Sequence, residues 1–318
     1  MTTKKGNRDV SRLLFGSAFR DSNFDRIIVL FAIEYIRIVK IMTNLPKKVE
    51  SDDQARSFLR WAGSKRQILP ILETYWKPTH HARYVEPFAG SACLFFRIQP
   101  TKAVLGDINE ELISTYVEVK YRVSSVVEEL ANLRKGREHY LELRSADLSN
   151  FSPSQKAARF IYLNRFCFNG LYRTNLKGQF NVPYGGEKSG EIPSESALRS
   201  CARRLKRALL VPGGFEKVLE KVEPGDFVYM DPPYSVKAKR VFKEYNAAAF
   251  GERELYRLRE WLEKLANNNI QFLISYAESD EAEVLSKGFH SRPISVRRNI
   301  AGFAASRLRS KEIIISSL

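Results

Sequence analysis

Short apolar runs, each ending in small, polar or acidic residues, punctuate the chain from residue 84 onward. Tyr84-Val85 gives way to Glu86-Pro87-Phe88-Ala89-Gly90-Ser91-Ala92, and the run 103–105 to Gly106-Asp107. Phe227-Val228-Tyr229-Met230 ends at Asp231, and the run 272–274 at Ser275-Tyr276. Alternating with helical stretches, such runs predict an α/β sheet rather than an all-helical or all-β domain. Open α/β sheets line a ligand site with loops from the carboxyl ends of their strands, where these polar residues fall.

Two segments break the pattern. The first forty residues carry a seven-residue apolar run at 27–33, flanked by Arg26, Glu34 and Arg37. That run is far short of the roughly 20 apolar residues a spanning helix needs. It also lacks the cleavage signature of a secretory leader, so residues 1–50 read as a basic extension or amphipathic helix, with Met42 an alternative start. Residues 47–54 form a polar linker. Between about 140 and 220, Pro153 opens a helix that dissolves into Phe166-Cys167-Phe168-Asn169-Gly170-Leu171-Tyr172-Arg173-Thr174-Asn175. Interleaved aromatics, amides and cations supply stacking faces, amide forks and guanidinium for bases and phosphates. Phe166 and Phe180 read as core, and Asn169 and Arg173 as contacts. Arg203, Arg204, Lys206 and Arg207 either track phosphates or form one solvated helix face.

Composition narrows the partner. In 318 residues, 52 Lys and Arg stand against 36 acids, a formal charge of +16 that favours nucleic acid, with an anionic membrane as competitor. Cys93, Cys167 and Cys201 are too few and too widely spaced for a disulfide framework or a cysteine zinc site, which fits a reducing cytoplasm. His80, His81, His139 and His290 lack metal-ligand spacing, so no metal is expected.

Two motifs carry chemistry. The 88–92 loop sits between strand and helix, where backbone N–H groups around Gly90 can approach a ligand. Asp107, 17 residues after Gly90, stands near the distance at which an acid meets ribose hydroxyls. Ala92 and Phe95 replace the later glycines of the dinucleotide fingerprint, so the nucleoside cofactor is not a nicotinamide. In Asp231-Pro232-Pro233-Tyr234 the carboxylate can accept from an amino group, the prolines stiffen the turn and Tyr234 can stack on a base. An ordinary turn after a strand is the competing reading.

Taken in order, Arg60-Trp61-Ala62-Gly63-Ser64-Lys65, Val85-Glu86-Pro87-Phe88-Ala89-Gly90, Gly106-Asp107-Ile108-Asn109, Tyr162-Leu163-Asn164-Arg165, the stretch 177–185 and Asp231-Pro232-Pro233-Tyr234 form one pattern. Over about residues 58–317 the chain resembles the Dam-like, D12-class DNA adenine methyltransferases of the alpha group. The resemblance implies a Rossmann-like S-adenosylmethionine-dependent methyltransferase sheet with an inserted, mostly helical target-recognition domain. Residues 51–139 and 221–318 would be catalytic, and 140–220 the insert. It places S-adenosylmethionine against Trp61, Lys65, Phe88, Gly90, Asp107 and Asp231. It makes Asp231, Pro232 and Tyr234 the catalytic set acting on an adenine flipped out of double-stranded DNA. In the hairpin it makes Phe168 a wedge, Leu171 and Pro183 apolar base contacts and Arg173 a guanine reader, with GATC as the site. Val296-Arg297-Arg298-Asn299 and Ser306-Arg307-Leu308-Arg309-Ser310 resemble the family's last loop and strand. The departures are Ala92, where many members have glycine, and Gly186, where some have a basic residue. Methylation of cytosine or RNA, and DNA binding without turnover, are the alternatives. Neither a membrane nor an obligate protein partner is implied.

Overall fold

Asp226–Met230 is buried at every position, as a strand covered on both faces must be. Its side chains divide between two cores. Phe227 and Tyr229 join Tyr84, Leu105 and Leu273 on one face, while Val228 and Met230 join Val85, Val104, Phe272 and Ile274 on the other. This alternation makes Asp226–Met230 (β4) a central strand.

The computed structural model describes residues 56–175, 177–187, 189–234, 250–297 and 309–317. The amino-terminal extension with its 27–33 run and Met42, and Arg298, Asn299 and residues 306–308 of the expected last loop, lie outside them. Residues Asp52–Leu318 form one compact unit.

Among the described residues seven strands build one sheet: β1 (Arg83–Glu86), β2 (Ala103–Asp107), β3 (Ala208–Pro212), β4, β5 (Gln271–Ala277), β6 (His290–Arg297) and β7 (Arg309–Ser316). Their spatial order is β3-β2-β1-β4-β5-β7-β6. The first five are parallel, and β7 runs antiparallel between β5 and β6. The order turns back between β1 and β4, which opens a crevice beyond their carboxyl ends. The four strands expected from the apolar runs are all present.

The helices begin where local chemistry starts them. The first are α1 (Leu69–Leu72), which Pro70 opens, and α2 (Cys93–Ile98). In α3 (Glu110–Ala131) the Asn109 side chain accepts from Leu112 N–H, and Glu110 and Glu111 occupy the positive first turn. After α4 (Arg137–Ser145), α5 (Pro153–Phe166) opens with a reciprocal Ser152–Gln155 capping box and Pro153. Ser194 caps α6 (Glu195–Leu205), which is followed by α7 (Phe215–Leu219). In α8 (Glu252–Asn267) Leu255, Leu258, Leu262 and Leu265 recur at helical spacing and are buried. Ser279 caps the last helix, α9 (Asp280–Ser286). Among the described residues no helix is long and apolar enough to cross a membrane.

The span 140–220 expected as the insert contains one strand of the sheet. Ala208–Pro212 is β3, paired along its whole length with β2, so it belongs to the sheet. The apolar Ala208-Leu209-Leu210-Val211 run carried this signal, but Leu209 is 53% exposed on the sheet edge and the run ends in Pro212 rather than an acid. The basic cluster at 203–207 leads into the amino end of β3, where Arg207 C=O accepts from Ala103 N–H. That end lies across the sheet from the crevice; Arg203, Lys206 and Arg207 are exposed there and Arg204 is half-buried.

Candidate active site

Glu86, Asp107 and Asp231 stand at or just past the carboxyl ends of β1, β2 and β4, and Ser275 lies near that of β5. They bring acids into a cavity of about 830 Å³. All six sequence-expected cofactor residues, Trp61, Lys65, Phe88, Gly90, Asp107 and Asp231, line it together with Pro232, Tyr234 and Leu171.

The segment carrying Trp61 and Lys65 has little regular structure and is held by distant partners. The Asn164 side chain on α5 accepts from Arg60 N–H at 2.8 Å and donates to Arg60 C=O at 2.6 Å. Ala62 N–H donates to Gly170 C=O. So anchored, Lys65 places Nζ 2.7 Å from Asp231 Oδ1, with side chains only 6% and 21% exposed. Burial alone would lower the Lys65 pKa, yet Asp231 beside it holds it above the ordinary lysine value. Burial pushes the Asp231 carboxyl up, opposed by the Lys65 ammonium and by the Ser275 hydroxyl at 3.3 Å. Lys65 Nζ also lies 5.0 Å from the Tyr234 ring centre, and Tyr234 packs edge-on against Tyr276.

The loop after β1 is built by close approach. Gly90 has φ +46°, and a Cβ there would sit 2.9 Å from Cδ1 of Trp61. Its N–H donates to Asp107 Oδ2 and Asn109 N–H to Oδ1, both at 2.9 Å. Burial raises the Asp107 pKa, and these two amides oppose the rise. Glu86 is raised well above the carboxylate range, chiefly by burial, although the Tyr84 hydroxyl donates to it at 3.0 Å. Ala92 has φ +48° and ψ +39°, the left-handed conformation that glycine adopts without cost.

Phe168 to Pro183 forms a hairpin. Thr174 bridges Phe180, Cys167 bridges Tyr184, and Phe168 N–H donates to Pro183 C=O. Phe168, 44% exposed, Asn169 and Pro183 lie together on its surface, outside the cavity lining. Arg173 is half-buried and engaged within the hairpin: Nε donates to Asn181 Oδ1 at 2.7 Å and a terminal nitrogen to Asn181 C=O at 3.2 Å. Phe166 and Phe180 are buried, as read from their apolar context. Gly186 has φ +97° with open space around it, so a basic side chain there would fit but the backbone favours glycine.

Several lining residues escaped sequence reasoning. Tyr172 stacks on Trp61, and its hydroxyl donates to Glu111, which also pairs with buried Arg159. Phe215 and Phe250 surround Phe88 as stacked and edge-on rings, and exposed Ile108 sits beside Asp107. Gly213-Gly214 before Phe215, after an apolar run, was an available signal for a further loop at the crevice.

The D12 class N6 adenine-specific DNA methyltransferase family matches residues 61–300. The chain is 36% identical over 271 residues to the Type II methyltransferase M1.LlaDCHI of Lactococcus lactis subsp. cremoris, covering 82% of this chain and 95% of that one. It is 35% identical over 269 residues to the Type II methyltransferase M.MjaIII of Methanocaldococcus jannaschii, covering 78% and 93%. It is 30% identical over 268 residues to the DNA adenine methylase of Escherichia coli K12, covering 81% and 94%. The matched span contains the acid-lined cavity, the Asp231-Pro232-Pro233-Tyr234 turn and the hairpin, and the chain belongs to the D12 class of N6 adenine-specific DNA methyltransferases.

Proposed function

We propose that the protein takes the methyl group of S-adenosylmethionine and places it on the exocyclic nitrogen of an adenine flipped from double-stranded DNA, in the sequence GATC. The observation that carries this reading is the Lys65–Asp231 ion pair at the mouth of β4, facing a cavity walled by Trp61, Phe88 and Asp107.

The donor set suits a cationic nucleoside. Asp107 offers carboxylate oxygens for ribose hydroxyls, Trp61 and Phe88 offer flat faces for a base, and Asp107 and Asp231 set two acids against the one cation of Lys65 in the lining around them. Lys65 supplies a cation for a carboxylate. When bound, the cofactor supplies an electrophilic methyl group.

The adenine amino lone pair is delocalised into the ring and is a weak nucleophile. Asp231 and the Pro232 carbonyl each accept one amino hydrogen, which draws the nitrogen toward tetrahedral geometry and turns its lone pair outward. The rigid Pro232-Pro233 turn keeps the two acceptors in place, and Tyr234 holds the base by stacking. Orientation and electrostatics lower the barrier without a covalent enzyme intermediate. The exposed Phe168 fills the space the base vacates, and Leu171, Arg173, Asn169 and Pro183 read its neighbours.

The test is plasmid methylation with radiolabelled cofactor, followed by digestion with enzymes that distinguish methylated from unmethylated GATC. Label in DNA with GATC protected supports the whole reading. Label at other sites removes the specificity alone, and label on cytosine or only on RNA removes the substrate.

A further inference from the structure

Tyr229 and Ser275 stand on adjacent strands β4 and β5, are 2% and 0% exposed, and were given no role in the methyl-transfer step above. The Tyr229 hydroxyl lies 2.9 Å from Ser275 Oγ, and Ser275 Oγ lies 3.3 Å from Asp231 Oδ1. The direction of this chain follows from its ends. The carboxylate can only accept, so Ser275 donates to Asp231, and Tyr229, a phenol kept protonated by burial, donates to Ser275. Lys65 Nζ reaches the same Oδ1. Both side-chain donors found on Asp231 among the described residues therefore converge on one oxygen.

We propose that Tyr229 and Ser275 are positioning residues: their relay, with Lys65, saturates Oδ1, fixes the rotation of the Asp231 carboxylate and turns Oδ2 to the amino group of the target base. The inference rests on the methyl-transfer reading and adds which oxygen does the accepting. It also gives β5 a function. Its Ser275 and Tyr276 lie on opposite faces of the sheet and hold Asp231 and Tyr234 respectively.

The experiment compares the full chain with Ser275→Ala, Tyr229→Phe and the double variant, measuring methyl transfer to DNA and, separately, equilibrium binding of DNA and cofactor. Ser275→Ala is expected to lower kcat about tenfold or more while both affinities stay within about twofold. Tyr229→Phe loses less, and the double variant loses no more than Ser275→Ala, because a relay fails once. The acid limb of the kcat profile moves to higher pH in Ser275→Ala, since a donor to the ionised carboxylate is gone. The other groups facing Asp231 and its partners, Lys65, Glu86 on β1, Tyr234 and Glu312 on β7, are unchanged between the proteins. If Ser275→Ala does not fold, Tyr229→Phe carries the same shift in smaller measure. A folded Ser275→Ala with wild-type kcat and pH profile overturns the relay, as do additive losses accompanied by weaker cofactor binding. A wild-type protein that transfers no methyl group overturns the functional reading itself.

Discussion

Trp61 and Tyr172 lie face to face, ring centroids 5.8 Å apart and planes 16° from parallel. One belongs to the segment before α1 and the other to the 168–183 hairpin between Leu171 and Arg173, so the segment that carries Lys65 and the hairpin share a stacked pair in the cavity wall. Tyr172→Ala is expected to weaken S-adenosylmethionine binding about three- to tenfold in the absence of DNA, by loss of stacking that holds Trp61. Tyr172→Phe, which keeps the ring and loses the hydroxyl that bonds Glu111, stays closer to wild type. Calorimetric titration of cofactor into each variant measures this, and equal affinities would remove the link.

Lys65→Met leaves Asp231 buried without its cation. Burial already raises that carboxyl and Lys65 opposes the rise, so the variant carries a still higher pKa. Methyl transfer at saturating cofactor should then lose more of its rate at pH 6 than at pH 8. Rate profiles across that window decide it, and a uniform loss at every pH would contradict the electrostatic role.

Glu86→Gln should stabilise the protein at alkaline pH. The folded carboxyl is raised well above 4.5, so its contribution to stability is complete below the unfolded pKa and lost as pH rises through the folded one. The variant and wild type should melt together near pH 4.5 and separate, with the variant higher, as pH increases. Thermal melts from pH 4.5 to 9 test the sign, and a variant less stable at pH 9 would refute it.

Ala92 occupies a left-handed conformation while 1% exposed. Glycine relieves a cost of about 1 kcal/mol there, partly offset by its greater freedom in the unfolded chain. Ala92→Gly should raise the urea midpoint slightly, whereas Ala92→Val should lower stability by about 2 kcal/mol or more. Equal effects of the two would mean that the backbone relaxes.

Arg173→Ala should relax discrimination at one base pair by about 1–3 kcal/mol, leaving the affinity for nonspecific DNA nearly unchanged. Asn181→Ala, which frees the guanidinium from its partner, should have a smaller effect in the same direction. Competition among duplexes substituted at each position of the site measures both. A loss spread evenly over all sequences would make Arg173 a phosphate contact.

Much of this was legible in the chain because it is local. Apolar runs ending in Glu86, Asp107 and Asp231 announce strands and a crevice together, since buried parallel strands have no polar positions until they emerge. Pro153 behind Ser152, and Asn109 before Glu110, mark helix starts by their own chemistry. What was not legible locally was β3, whose edge position and exposed Leu209 blurred its strand pattern.

The sequence by itself determined the parts: an α/β sheet, an acid at the ends of three of its strands, a basic chain and an aromatic hairpin. The tertiary structure alone decided their pairing. Lys65 and Asp231 are separated by most of the domain, and nothing in either neighbourhood says that Nζ will meet Oδ1 at 2.7 Å. Trp61 with Tyr172, Ser275 with Asp231 and Asn164 with Arg60 are equally remote. Side-chain periodicity reports which face a residue takes within its own element, while partners across elements depend on sheet order and register, which only the packed chain establishes.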